Sequence, residues 1–132
     1  DNFADLIINK VGSSFEKLVL GNHHVTDEFI CELESLERLK PSLKWLSISG
    51  SLISAKGLNS VLSFPRLEYL DVSRCEFIQS EEYKGVVSVE SKIHTLNISS
   101  CFHLNDDSMI RICELCPNLI DLECGIIPEL TD

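Results

Sequence analysis

Apolar residues recur at relative positions 1, 4 and 6 of a short segment that appears five times along the chain. The five copies are Phe15-Leu18-Leu20, Leu43-Leu46-Ile48, Leu67-Leu70-Val72, Ile93-Leu96-Ile98 and Leu119-Leu122-Cys124. Successive copies begin 24 to 28 residues apart. A fixed period of this size is the signature of a solenoid, in which each repeat packs only against its neighbours.

A second pattern, with helical spacing, follows the copies. A small residue comes first, then an apolar residue and a polar helix cap, as in Val25-Thr26, Ile53-Ser54 and Leu104-Asn105. Apolar residues then recur three or four apart, at Phe29, Leu33 and Leu36 and at Met109, Ile112 and Cys116. Each repeat is therefore predicted to hold a strand and a helix. The predicted fold is an α/β right-handed superhelix with a parallel concave sheet and convex helices.

Side chains at positions 3 and 5 of each copy are predicted to face away from the core, because side chains alternate along a strand. Lys17 and Val19 hold these positions in the first copy. We predict a partner-binding concave face made of Trp45, Ser47, Tyr69, Asp71, Thr95, Asn97, Asp121 and Glu123. Neighbouring aromatics beside carboxylates favour a basic or aromatic peptide as the partner.

A plainer interpretation of the same residues stays open. Trp45 and Tyr69 would then only cover the sheet or pack against another domain. The carboxylates would be ordinary solvated side chains. Lys17 and Lys44 are candidate partners for those carboxylates or for Glu68.

The net charge and the first residues of the chain indicate which partners and which cellular location to expect. The formal net charge is −10 at pH 7, which opposes binding to nucleic acid or anionic membranes. No apolar run reaches the roughly 18 to 20 residues of a membrane span. The first ten residues lack the basic stretch and cleavage site of a signal peptide. We therefore expect a cytoplasmic or nuclear protein without nucleic-acid or membrane partners.

The six cysteines follow the repeat and are predicted to be buried thiols in a reducing compartment. Cys75 and Cys101 hold the same position in the turn after the strand, where a small side chain can bond to backbone groups. Cys113 and Cys116 form a C-x-x-C, but both are placed on a buried helix face, which argues against zinc. His23-His24 with Asp27 is a second, weaker metal candidate. We predict no metal, no cofactor, no catalytic residues and no enzymatic activity.

One stretch carries a family resemblance. The segment Ile93-His94-Thr95-Leu96-Asn97-Ile98-Ser99-Ser100-Cys101-Phe102-His103-Leu104-Asn105-Asp106, followed by Leu115-Cys116-Pro117-Asn118-Leu119, resembles the cysteine-containing leucine-rich repeats of F-box proteins and related ubiquitin-ligase substrate receptors. The departures are Ser51 and His23 at the cysteine position and a blurred helical pattern over Glu81 to Ser91. No F-box-like helical segment is visible.

The resemblance implies a protein-recognition module, the substrate-recognition part of a ubiquitin-ligase receptor. It also implies cullin-type ligase subunits as partners through regions outside this chain. The alternative is a non-enzymatic scaffold or assembly factor whose repeats pack onto other repeats. Asn2 to Gly12 matches the helix of a preceding copy, and Leu130-Thr131-Asp132 matches Leu104-Asn105-Asp106 in register. We therefore predict that residues 1–132 are one leucine-rich repeat domain, a fragment of a longer solenoid.

Overall fold

The computed structural model describes residues 16–20, 25–35, 41–79 and 91–125. Within them the chain is an α/β protein with five parallel strands and three helices. In chain order these are β1 (Lys17–Val19), α1 (Asp27–Ser35), β2 (Trp45–Ser47), α2 (Ala55–Leu62), β3 (Tyr69–Asp71), β4 (Thr95–Asn97), α3 (Asp106–Leu115) and β5 (Asp121–Glu123). The helix expected over residues 2–12, the turn at His23 and most of the blurred repeat, residues 81–90, lie outside the described residues.

The strands pair in chain order, and equal positions of successive copies lie side by side. Leu46 pairs with Leu18 on one side and with Leu70 on the other. The same register continues through Leu96 to Leu122. The parallel order and the alignment of equal repeat positions confirm the predicted parallel sheet.

The core is built from the apolar positions of the three central copies. All of them are fully buried: Leu43, Leu46, Ile48, Leu67, Leu70, Val72, Ile93, Leu96 and Ile98. The last copy differs, because Leu122 is 36% exposed at a position predicted to point inward. Among the described residues β5 pairs only with β4, so Leu122 is covered from one side. The prediction of a buried residue at this position is wrong.

Polar residues cap the helices where the sequence predicts them. The backbone N–H of Phe29 donates to Thr26 Oγ1 at 3.2 Å, and Ser54 Oγ accepts from the N–H of Lys56. At α3, Asn105 and Ser108 form a reciprocal capping box. Such caps satisfy backbone donors that the first helical turn leaves unpaired.

Asp27 links two neighbouring repeats. Its Oδ1 accepts from the backbone N–H of Ser54 at 2.9 Å, and its Oδ2 accepts from Ser54 Oγ at 2.6 Å. Gly57 lies against this carboxylate, since a Cβ at Gly57 would overlap with Asp27 Oδ1. Glycine at this helical position therefore allows the close approach of α1 and α2.

Replacing Gly57 with alanine is expected to destabilise the protein. Alanine gains about 1 kcal/mol in helix propensity. Moving the Asp27 carboxylate, however, weakens two charge-assisted hydrogen bonds, and such bonds contribute about 1.5 to 3 kcal/mol each. We expect urea denaturation of Gly57→Ala to show a net loss of about 1 kcal/mol. In an Asp27→Ala background the same substitution should cost less, and an equal loss in both backgrounds would refute the steric explanation.

Candidate functional site

The register places all of the predicted partner-binding residues on one face of the sheet, opposite the core. Position 3 supplies one row across the strands, and position 5 supplies a second row beside it. The first row is Lys17, Trp45, Tyr69, Thr95 and Asp121, and the second is Val19, Ser47, Asp71, Asn97 and Glu123. We call these two rows the open face.

An aromatic stack lies in the first row. The rings of Trp45 and Tyr69 are 4.0 Å apart between centroids and 2° from parallel. Both side chains are half-buried. Lys17 Nζ lies 4.4 Å from the centroid of the Trp45 ring, and the strand order puts Lys17 and Tyr69 on opposite sides of Trp45. Stacking of this kind contributes about 0.5 to 1.5 kcal/mol beyond burial, so the two rings hold one another in a defined orientation.

Lys17, which was predicted to face away from the core but not to bind the partner, lies against this stack. The sequence signal was present, because Lys17 holds position 3 of the first copy, in line with Trp45. An ammonium group above an indole ring is attracted by the negative face of the π system. The expected pairing of Lys17 with a carboxylate is therefore replaced by a cation–π contact.

The other ionisable side chains beside the strands also differ from the expected pairs. Lys44 Nζ lies 3.5 Å from Glu16 Oε2, and His94 Nε2 lies 3.6 Å from Glu68 Oε1. These exposed pairs contribute little to stability. Glu68 therefore faces His94 instead of Lys17 or Lys44.

The second row takes part in building the turns. Asp71 Oδ1 accepts from the backbone N–H of Ser73 at 2.9 Å, and Asp71 Oδ2 accepts from Ser47 Oγ at 3.2 Å. In the next repeat Asn97 Oδ1 accepts from the N–H of Ser99 at 3.0 Å. The bonds from Ser73 to Asp71 and from Ser99 to Asn97 have a sequence signal, which is an Asp or Asn two residues before a turn serine. Ser47 is only 8% exposed and so offers little surface to a partner.

The far end of the open face is acidic. Asp121 and Glu123 are exposed, and no described residue pairs with either carboxylate. Thr95, on the neighbouring strand β4, has its Oγ1 3.0 Å from His94 Nδ1. Burial raises the pKa of the Tyr69 phenol, and the negative charges of Asp71 and Glu123 raise it further. Negative charge therefore extends from β5 to the aromatic stack.

The turn cysteines lie in the core, as the repeat predicts. Cys101 Sγ donates to the carbonyl oxygen of Val72 at 3.2 Å, and Cys75 Sγ donates to that of Ile48 at 3.5 Å. Ser51 takes the same position one repeat earlier, with its Oγ 3.1 Å from Cys75 Sγ. Burial raises the pKa of the Cys101 thiol to about 12 and that of Cys75 in the same direction. Both thiols stay protonated at neutral pH and are poor nucleophiles.

Cys113 is not on the buried side of its helix, contrary to the sequence prediction. It is exposed, whereas Met109, Ile112 and Cys116 are buried. Successive helical residues turn by about 100°, so the buried stripe is centred near Ile112 and Cys116 and leaves Cys113 at its flank. Cys31 on α1 is exposed too, so the prediction of burial fails for both residues.

No described part of the chain gathers three or more His, Cys, Asp or Glu side chains into a group that could hold a metal ion. His23 and His24, the weaker metal candidate, lie outside the described residues. No helix in the described ranges is long and apolar enough to cross a membrane.

Comparison with known proteins shows a similarity to a leucine-rich repeat protein. No protein-family model matches the chain. F-box/LRR-repeat protein 12 of Arabidopsis thaliana is 31% identical over 86 residues, which is 64% of this chain and 21% of that protein. The matched part thus spans about a fifth of the length of that relative. The similarity and the five-stranded parallel sheet are compatible with an α/β fold of the leucine-rich repeat type.

Proposed function

We propose that the chain is a leucine-rich repeat solenoid that recognises protein segments on its concave face. The observation that carries the proposal is the half-exposed stack of Trp45 on Tyr69 in the open face. Large aromatic side chains with a polar edge dominate the binding energy of many protein interfaces. The two rings already rest against one another, so fixing them on binding would cost little conformational entropy.

In this proposal a partner segment crosses the strands and contacts Trp45 and Tyr69 as its anchors. The acidic end at Asp121 and Glu123 favours a partner with positive charge. The chain's net charge of −10 acts in the same direction, because it speeds encounter with basic partners and repels acidic ones. Asp71 and Asn97 stabilise the turns that follow β3 and β4, beside this contact.

The specific form that we propose is the substrate-recognition part of a ubiquitin-ligase receptor. The similarity to F-box/LRR-repeat protein 12 supports it, as does the resemblance of the segment from Ile93 to Asp106 to cysteine-containing leucine-rich repeats. The adaptor-binding segment and the contacts with cullin-type subunits would lie outside this chain.

Co-purification of the full-length protein tests the ligase assignment. We expect a cullin and its adaptor to be retained at near-stoichiometric amounts, and retention to survive the double substitution Trp45→Ala/Tyr69→Ala, because the open face binds substrate and not the ligase. Recovery of neither subunit would refute the ligase assignment while leaving protein recognition intact.

A second candidate function, a scaffold whose repeats pack onto other repeats, is favoured by the edge of the sheet at β5. Ile120 is 78% exposed, and Leu122, at a position buried in the three central copies, is partly exposed. We propose that a further repeat covers this edge, so that residues 1–132 are a fragment of a longer solenoid. In a pure scaffold, substitutions at this edge would disrupt assembly, and substitutions in the open face would change nothing.

A further inference from the structure

We propose that the gap above Thr95, between the Tyr69 ring and the carboxylates of β5, binds an arginine side chain of the partner. We call it the Thr95 gap. The inference rests on the proposed recognition function and deepens it, since it names the chemical class of the group that the open face selects.

The first observation is that one face of Tyr69 is covered and the other is not. Trp45 covers the face turned towards β2. The opposite face is turned towards Thr95, because Tyr69 pairs with Thr95 across β3 and β4. In the described ranges, no ring and no cation lies against that second face. The Thr95 side chain is much shorter than that of Tyr69, so it cannot cover the outer part of the Tyr69 ring.

The second observation is the width of the gap. Neighbouring parallel strands are about 4.8 Å apart, and Asp121 lies two strands beyond Tyr69 in the same row. Tyr69 and Asp121 are thus about 10 Å apart along the row. A planar group stacks on a ring at about 3.5 to 4 Å, so one guanidinium fits between the ring and the carboxylate.

The third observation is the charge around the gap. Asp71, Asp121 and Glu123 are its acidic neighbours, and Asp71 and Glu123 are close enough to Tyr69 to raise the pKa of its phenol. Asp71 already accepts two hydrogen bonds. Asp121 and Glu123 have no partner among the described residues, so their oxygens are available to an incoming donor.

The chain itself shows how this row accommodates a cation. Lys17 lies over the outer face of Trp45, so the row begins with a cation against a ring. At the other end of the stack, Tyr69 also turns a ring face along the row, and the carboxylates of β5 lie beyond it. Arginine suits this end better than lysine, because its planar guanidinium stacks on an aromatic face and donates a fork of hydrogen bonds to a carboxylate.

Trp45 provides a direct readout, because it is the only tryptophan of the chain and it stacks on Tyr69. The probes are three acetylated, amidated pentapeptides, with arginine, citrulline or phenylalanine between pairs of alanines. Citrulline keeps the shape of arginine and removes its charge. Titrations are followed by Trp45 fluorescence and by backbone amide chemical shifts of Thr95.

We expect saturable binding of the arginine peptide and an affinity at least fivefold lower for citrulline. Glu123→Gln and Asp121→Asn should each weaken arginine binding by about three- to tenfold, as expected for loss of a charge-assisted contact. Glu76→Gln is the matched control, since it removes one charge at an exposed turn residue outside the open face. It should leave the affinity unchanged. Circular dichroism checks that each variant is folded.

Equal binding of arginine and citrulline, or no binding of arginine, would overturn the inference. Preference for phenylalanine would overturn it as well and would identify the gap as an aromatic subsite. In each of these cases the recognition function stands if Trp45→Ala still abolishes binding of the natural partner. It falls only if the natural partner binds that variant normally.

Discussion

Replacing Leu70 with alanine is expected to lower the free energy of unfolding by about 2 to 5 kcal/mol, the range for buried leucines. Leu70 is fully buried and lies in the middle of β3, with Leu46 and Leu96 as its neighbours in the adjacent strands. In a repeat protein each repeat contacts only its neighbours. A cavity at Leu70 therefore weakens the contacts on both sides at once.

Leu122→Ala is the matched control, because Leu122 has the same repeat position but is partly exposed. We expect this substitution to lower the free energy of unfolding by about 1 kcal/mol, because part of the Leu122 side chain stays exposed to solvent in the folded protein. Urea denaturation of both variants, followed by circular dichroism, measures the difference. Equal losses would show that the apolar positions of the central copies do not form the core described above.

Much of the open face could be predicted from the sequence because the repeats are nearly equal in length. Parallel strands without stagger place equal positions side by side, so the spacing of Trp45 and Tyr69 along the chain implied their contact. The buried positions of Cys75 and Cys101 follow from the same rule. Periodicity is a reliable guide wherever each repeat has two neighbours.

The sequence was a poorer guide to long side chains and to the ends of elements. Lys17 has several rotamers, and its place over Trp45 depends on the competition between an aromatic face and nearby carboxylates, which spacing does not describe. Cys113 lies near the end of α3, at the flank of a buried stripe. The burial of Leu122 depends on whether another strand packs beside β5, which the residues of its own repeat do not determine.

The largest effect on function is expected from the aromatic stack. Trp45→Ala should reduce affinity for a protein partner by at least tenfold, or more than about 1.4 kcal/mol, as is typical of central aromatic residues in an interface. Tyr69→Ala should act similarly, because it removes the ring on which Trp45 stacks. Tyr69→Phe keeps that ring and should retain most of the affinity.

The control for these substitutions is Phe77→Ala. Phe77 is 52% exposed in the turn region after β3 and lies outside the open face. The substitution Phe77→Ala removes a comparable aromatic surface and leaves the stack of Trp45 and Tyr69 unchanged. Neither Phe77→Ala nor the two stack variants should unfold the protein, because all three side chains are partly exposed.

The most direct test of the recognition surface is quantitative affinity capture with the full-length protein, comparing wild type, Phe77→Ala and the double variant Trp45→Ala/Tyr69→Ala. Mass spectrometry measures how much of each partner is retained, and thermal unfolding confirms that each variant is folded. We predict that partners retained by wild type and by Phe77→Ala fall at least tenfold with the double variant. Equal retention by all three proteins would contradict the assignment of the open face as the surface that recognises a partner.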